Sequence, residues 1–180
     1  MADHYLTVLD LEAGELRQIL TRAAQLKSLR RTKGLAALTP KPLADQSWGL
    51  LFEKASTRTR VSFEVGVNLL GGSAMFMSPD QLHLGRGEPL EDTARILSRY
   101  LDGLVVRTYG HDRLETLAKW GTIPVINALS DLCHPCQVLA DLQTVGERLG
   151  KIEGFKAAWV GDGNNVAYSW IAAAIRLGFE

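Results

Sequence analysis

The sequence predicts an α/β protein built on a doubly wound, mainly parallel sheet, and three observations carry that expectation. Short apolar runs of strand length alternate along the chain with segments whose apolar residues recur at helical spacing. Clusters of unusual polar residues stand directly after the apolar runs, where the loops of such a sheet lead into helix N-termini and ligands bind. A content of 46% apolar and 22% charged residues over 180 positions suits a globular chain of one domain or slightly more.

The elements follow in order. Leu16, Ile19, Leu20, Ala23 and Leu26 recur at helical spacing, so the first helix is amphipathic, with Asp10 or a neighbour as its cap. After the Pro40/Pro42 punctuation, Ser47 to Phe52 is an apolar run of the length of a buried strand, and Ser73 to Met77 is a second. Leu90, Ala94, Leu97 and Leu101 mark a helical face, followed by a strand from Gly103 to Val106. A helix from about Asp112 to Lys119 leads to a strand from Ile123 to Ile126. From Pro135 to Leu149 the positions Val138, Leu139, Leu142 and Val145 suit a helix with proline in its first turn. Gly150 and Gly154 flank a linker; Lys156 to Val160 reads as a strand and Val166 to Leu177 as the helix after it. Val61, Phe63, Val65, Val67 and Leu69 alternate strictly, which by period predicts a strand, although Phe63, Val67 and Leu70 would also line one helical face.

Composition narrows the function. Twenty basic against twenty acidic residues leave no excess of positive charge for an extended nucleic-acid surface, and the basic run from Lys27 to Lys33 reads as a solvated helix end. No apolar stretch reaches the roughly 20 residues that cross a bilayer, and the first residues lack the pattern of a signal peptide, so the expected location is the cytoplasm. Cys133 and Cys136 are expected to be reduced there. Their C-x-x-C spacing invites a zinc or redox reading. Zinc needs a second ligand pair that the sequence does not supply at a recognisable spacing, and neighbours in sequence such as Cys133 and His134 rarely adopt the geometry of a nucleophilic pair.

Four polar clusters fall on the rim of the predicted sheet. Ser56-Thr57-Arg58-Thr59-Arg60 offers hydroxyls, helix N-terminal N–H groups and guanidinium forks, the chemistry of an anion site, without the glycines and lysine of a P-loop. Arg107 follows the strand ending at Val106. His134-Pro135-Cys136-Gln137 opens a helix, whose N-terminus would keep the imidazole neutral and able to donate a hydrogen bond. Gly161-Asp-Gly163-Asn-Asn165 resembles the start of a dinucleotide fingerprint, with Val166 where the third glycine would stand.

Phe52-Glu-Lys-Ala-Ser-Thr-Arg-Thr-Arg60, His134-Pro-Cys-Gln137 and Gly161-Asp-Gly-Asn-Asn165 together closely resemble the ornithine carbamoyltransferases. Aspartate carbamoyltransferases share the first two motifs, whereas Glu53-Lys54 and Asp162-Gly-Asn-Asn165 are similar to the ornithine branch. The resemblance implies carbamoyl transfer from carbamoyl phosphate to the δ-amine of L-ornithine, giving citrulline and phosphate, with no cofactor and no metal. It leaves open the biosynthetic or catabolic direction in arginine metabolism, and other amine acceptors.

In the pattern of that family Ser56, Thr57, Arg58 and Thr59 hold the phosphate together with Arg107. Arg107, His134 and Thr59 polarise the carbonyl, Gln137 binds the carbamoyl nitrogen within a group that includes Pro135 and Cys136, and Asn165 contacts ornithine. His83, in the loop from Ser78 to Gly87, would complete the phosphate site of a neighbouring subunit in a trimer or larger homo-oligomer; many members carry Gln there. The family makes Val61 to Leu70 a helix, and that reading is adopted over the period-two signal, since a phosphate loop opening a helix explains the donors better.

It also implies two domains: a carbamoyl phosphate-binding domain over 1–149, and over 150–180 the first βα unit of an ornithine-binding domain, truncated, with apolar faces uncovered and turnover impaired. Two other readings stand beside it: a non-catalytic module that binds phosphate or carbamoyl phosphate, and a fragment of a dinucleotide-binding oxidoreductase.

Overall fold

A computed structural model of the chain describes residues 4–34, 38–82 and 87–180. Four strands form one sheet: β1 (Ser47–Phe52), β2 (Ser73–Met77), β3 (Gly103–Arg107) and β4 (Val125–Leu129). They lie in the order β2-β1-β3-β4, and every pair is parallel. The connections are helices, as parallel pairing requires: α2 (Thr57–Leu69), α3 (Leu90–Leu97) and α4 (His111–Trp120), with α1 (Ala13–Thr32) preceding the sheet and α5 (Pro135–Leu149) and α6 (Asn165–Leu177) following it.

Register explains why the strands read as unbroken apolar runs. Leu51 pairs with Met77 on one side and Val106 on the other, and these three pack with Ala94, Leu114 and Leu117 of α3 and α4. One residue earlier, Leu50 pairs with Phe76 and Val105 and faces the opposite layer, where Phe63 of α2 joins the cluster. β1 and β3 are therefore buried on both faces and need no polar side, whereas β2 at the sheet's edge leaves Ser73 and Met75 exposed. The sheet is tight at Gly49: a β-carbon there would lie 2.6 Å from Met77 Cε and 2.7 Å from Leu101 Cδ1.

A second core lies beside the sheet. Val8, Leu16 and Leu20 pack with Val138 and Leu142 of α5 and with Ala172, Ala173 and Leu177 of α6. Tyr5 lies parallel to Ile126 and exchanges backbone hydrogen bonds of 2.9 and 2.8 Å with Val125 and Asn127, which covers the outer edge of β4.

Several expectations are corrected. Lys156 to Val160 is not a strand: all five residues are exposed, and among the described residues no strand lies beside them to complete a ladder. Among the described residues one backbone bond, Ala157 N–H to the Glu180 carbonyl, holds the segment, beside an ion pair between Lys156 and Glu180. The expected βα unit after the linker is thus present only as its helix. Val61 to Leu69, by contrast, is helical within α2, as the family resemblance implies and against its period-two signal, because its buried face is Phe63 and Val67 against the sheet while Val61 and Val65 stay exposed. β4 begins at Val125 rather than Ile123, since Pro124 has no N–H to give to a ladder. Thr7 caps the 3₁₀ turn Val8–Asp10, with the Asp10 carboxylate accepting from the Thr7 N–H at 2.7 Å, and Glu12, whose backbone N–H donates to Glu15 Oε2 at 2.8 Å, is the N-cap of α1.

Candidate active site

The C-terminal ends of β1, β3 and β4 open onto one rim. At the first, Ser56 is the N-cap of α2, and its Oγ accepts from the Thr59 N–H at 3.3 Å. That leaves the N–H groups of Thr57 and Arg58 at the helix start, which have no intrahelical acceptor and carry the positive end of the helix dipole. Thr57 lines a cavity of about 620 Å³ with Glu53, Lys54, Ser56 and Arg60. Arg58 is exposed and has no hydrogen-bond or ion-pair partner among the described residues. Arg60 instead packs over the Phe76 ring at 3.8 Å and pairs with Glu64 at 3.5 Å.

Arg107 ends β3. The ladder to β4 skips one residue there, Val106 pairing with Asn127 but Arg107 with Leu129, a bulge-type shift of the kind that re-aims the next side chain. Its Nη1 donates to Thr59 Oγ1 at 3.3 Å, while its Nε is buried with no partner among the described residues. Burial lowers its pKa from the ordinary arginine value.

His134 is the N-cap residue of α5, with the buried Pro135 at the first helical position. Its backbone N–H donates to the fully buried Ser169 Oγ at 2.8 Å, and Ser169 in turn donates to the Asn165 carbonyl at 2.8 Å. The His134 Nδ1 is buried and unpartnered among the described residues. Burial first, and the nearby positive charge of Arg107 second, depress the imidazole to about 4, with Asp141 opposing them. The ring is therefore neutral at pH 7. It is a hydrogen-bond partner without charge, as the sequence suggested, though burial rather than the helix terminus is the leading cause.

Thr59, Arg107 and His134 are thus brought together, and two of the three present orphaned buried polar atoms. Buried polar groups in folded proteins are normally satisfied, so two such atoms on neighbouring residues mark a place where a polar ligand completes the bonding.

The remaining predicted residues lie as follows. The exposed Gln137 gives its Nε2 to Asp141 Oδ1 at 2.9 Å. The Cys136 thiol donates to the Asn127 carbonyl and the Cys133 thiol to that of Leu6, each at 3.3 Å. Burial pushes these thiols up to about 12 and about 11 respectively, so neither is a thiolate at neutral pH. Asn165 Nδ2 donates to the Ser130 carbonyl at 2.8 Å, linking α6 to the loop before α5. His83 lies outside the described residues. The glycines at 161 and 163 are exposed and follow no strand, so the strand–loop–helix context of a dinucleotide fingerprint is missing.

Sequence reasoning gave no structural role to Glu53, Thr108, Arg113 and Ser169. Of these, only Glu53 carried a signal, through its place between an apolar strand and an anion-binding loop.

Comparison with known proteins places this geometry. Residues 3–147 match the family model described as the aspartate/ornithine carbamoyltransferase, carbamoyl-P binding domain. The ornithine carbamoyltransferase of Halorhodospira halophila is 53% identical over 177 residues, 98% of this chain and 58% of that protein. That of Nitrosococcus oceani is 54% identical over 177 residues, 98% of this chain and 57% of its own length. Among solved structures, the ornithine carbamoyltransferase from Burkholderia thailandensis superposes with a TM-score of 0.92 at 44% identity, covering 99% of this chain and 60% of that one. The Pyrococcus furiosus enzyme superposes at 0.90 with 45% identity, over 98% of this chain and 55% of its own. The chain therefore spans less than two thirds of the length of these relatives.

Proposed function

We propose, for a chain that belongs to the aspartate/ornithine carbamoyltransferase family, that the rim around Thr59, Arg107 and His134 binds carbamoyl phosphate and activates it for transfer to the δ-amine of ornithine. The observation that carries this reading is the pair of buried, unpartnered polar atoms, Arg107 Nε and His134 Nδ1, beside the Thr59 hydroxyl that Arg107 already touches.

The chemistry follows from the donors. An uncharged amine attacks the carbamoyl carbon; a C–N bond forms, the C–O bond to phosphate breaks with its electron pair on the phosphate oxygen, and the proton lost by the amine nitrogen is taken up by the departing phosphate. Negative charge grows first on the carbonyl oxygen and then on the departing phosphate. Fixed donors aimed at those positions lower the barrier without reorganising. In this reading the phosphate sits on the N-terminus of α2, among the N–H groups and hydroxyls of Ser56, Thr57 and Thr59, with exposed Arg58 adding charge. Arg107 reaches both the phosphate and the carbonyl. His134, neutral, donates to the carbonyl oxygen without a second cation that would repel Arg107. Gln137 would turn from Asp141 to the carbamoyl nitrogen, alongside Pro135 and Cys136, and Asn165 would meet the ornithine backbone. We further propose that residues 150–180 begin an ornithine-binding domain following a carbamoyl phosphate-binding domain over 1–149, and that His83 serves a neighbouring copy in a homotrimer.

The second reading is binding of carbamoyl phosphate without transfer. Incubating the chain with labelled carbamoyl phosphate and, separately, ornithine, putrescine or aspartate distinguishes the two. Label in citrulline supports the ornithine reading. Label in the aspartate product overturns the choice of acceptor, and donor binding without any labelled product establishes the binding module instead.

A further inference from the structure

Glu53 and Lys54 mark one branch of the family in sequence, but the chemistry above gives them no task. Glu53 is the first residue beyond β1, and its side chain is only 10% exposed. Arg113 sets its Nε (2.9 Å) and Nη2 (2.6 Å) on one carboxylate oxygen, and the Thr108 hydroxyl donates to the other. The Glu53 backbone N–H donates to the Arg107 carbonyl at 2.8 Å. One residue thus grips the main chain of Arg107, the side chain of its neighbour Thr108, and the first turn of α4.

Arg107 needs such support. It is a long side chain with much rotamer freedom to lose, yet among the described residues its guanidinium makes a single hydrogen bond to protein, at 3.3 Å, and leaves Nε unpaired. Its own bonds do not fix it, so its direction is set by the backbone that carries it. Lys54 adds a tie to a third loop, pairing with Asp131 and lying 4.1 Å over the Tyr109 ring. Asp131 is 63% exposed, and an ion pair so open to water contributes little. The weight therefore falls on Glu53.

We propose that Glu53 is the positioning residue for Arg107: through Thr108, Arg113 and the Arg107 carbonyl it fixes the end of β3 against the end of β1, and so holds the guanidinium at Thr59 and beside His134. The proposal rests on the reading of Arg107 given under Proposed function.

Two measurements on the whole chain test it. The first is calorimetric titration with carbamoyl phosphate for the unaltered chain and for Glu53→Ala, Glu53→Gln, Arg113→Ala and the double variant Glu53→Ala/Arg113→Ala. The expected result is roughly tenfold or weaker binding in Glu53→Ala, partial recovery in Glu53→Gln, and a double variant no worse than the more affected single one, since both act through one path. Leu20→Ala, a core change on α1 away from the rim, lowers the melting temperature and leaves binding unchanged. The second measurement is the titration of the His134 ring by NMR. Burial, Arg107 and Asp141 act on that ring. If Glu53→Ala frees Arg107, the His134 midpoint rises by roughly half a pH unit or more, whereas Leu20→Ala leaves it in place.

Glu53→Ala and Arg113→Ala proteins that remain folded, with unaltered binding and an unmoved His134 midpoint, overturn the proposal. So does a binding loss that Leu20→Ala reproduces. If the unaltered chain does not bind carbamoyl phosphate, the reading under Proposed function falls, and the His134 midpoint alone then upholds or overturns the positioning of Arg107.

Discussion

His134 combines two properties that a free histidine lacks: a buried ring nitrogen with no partner among the described residues and a protonation midpoint depressed to about 4. Between about 4 and the ordinary 6.5, the unfolded chain takes up a proton at this residue and the folded chain does not. The unfolded state binds more protons in that window, so stability falls as the pH is lowered from 6.5 to 4, and beyond either end His134 adds no further slope. Urea unfolding at pH 7, 6 and 5 checks this: the unaltered chain is expected to lose more stability over the series than His134→Gln, the carboxylates common to both cancelling in the difference. Equal slopes would show that the ring is not held neutral. Neutrality at pH 7 suits the proposed chemistry, because a neutral donor beside Arg107 supplies a hydrogen bond without a like charge.

Elements rather than single residues set where these groups meet. The inner strands β1 and β3 are held on both faces, and Gly49 of β1 is a point at which a larger residue forces its neighbours to shift. Gly49→Ala brings a methyl to within 2.6 to 2.8 Å of Met77, Leu101 and Leu104, and a destabilisation of about 1–3 kcal/mol is expected in chemical denaturation; an unchanged midpoint would mean that the strands part freely.

The same two-sided burial made the strands legible in sequence, since Ser47 to Phe52 and Gly103 to Val106 could hardly be other than interior runs. Alternation at Val61 to Leu69 pointed the wrong way, because period alone cannot tell which residues meet the sheet: Phe63 and Val67 do, and the intervening valines are simply exposed on a helix. Lys156 to Val160 has strand composition but no neighbour to pair with, and composition does not report neighbours. At the candidate site, Thr59, Arg107 and His134 stand after strands in the sequence and lie on one rim in the structure, while the roles proposed for them come from the family resemblance. Arg58, equal to Thr59 in the motif, lies in solvent because α2 turns successive residues by about 100°. The grip of Glu53 on Arg113 spans 60 positions in sequence, and no local pattern announces it.

At the scale of the whole molecule, two cores meet at α5, whose first residues belong to the rim and whose apolar face packs with α1 and α6. His134, Ser169 and Asn165 form a hydrogen-bonded link across that junction, so the helix that carries the proposed ornithine contact is tied to the residue that carries the proposed carbonyl donor. Beyond the junction the apolar surface is open: Val160 is 96% and Ile175 71% exposed, with Trp159, Tyr168 and Ile171 beside them. Among the described residues no helix is long and apolar enough to cross a membrane.

Whether the rim around Arg107 holds carbamoyl phosphate is decided by calorimetric titration of the 180-residue chain with that compound, alongside Arg107→Ala. Saturable binding by the unaltered chain is expected, with a loss of about 3 kcal/mol, roughly a hundredfold in affinity, in an Arg107→Ala variant of unchanged melting temperature. A folded chain that takes up no carbamoyl phosphate, or an Arg107→Ala variant that binds as tightly as the parent, would contradict it.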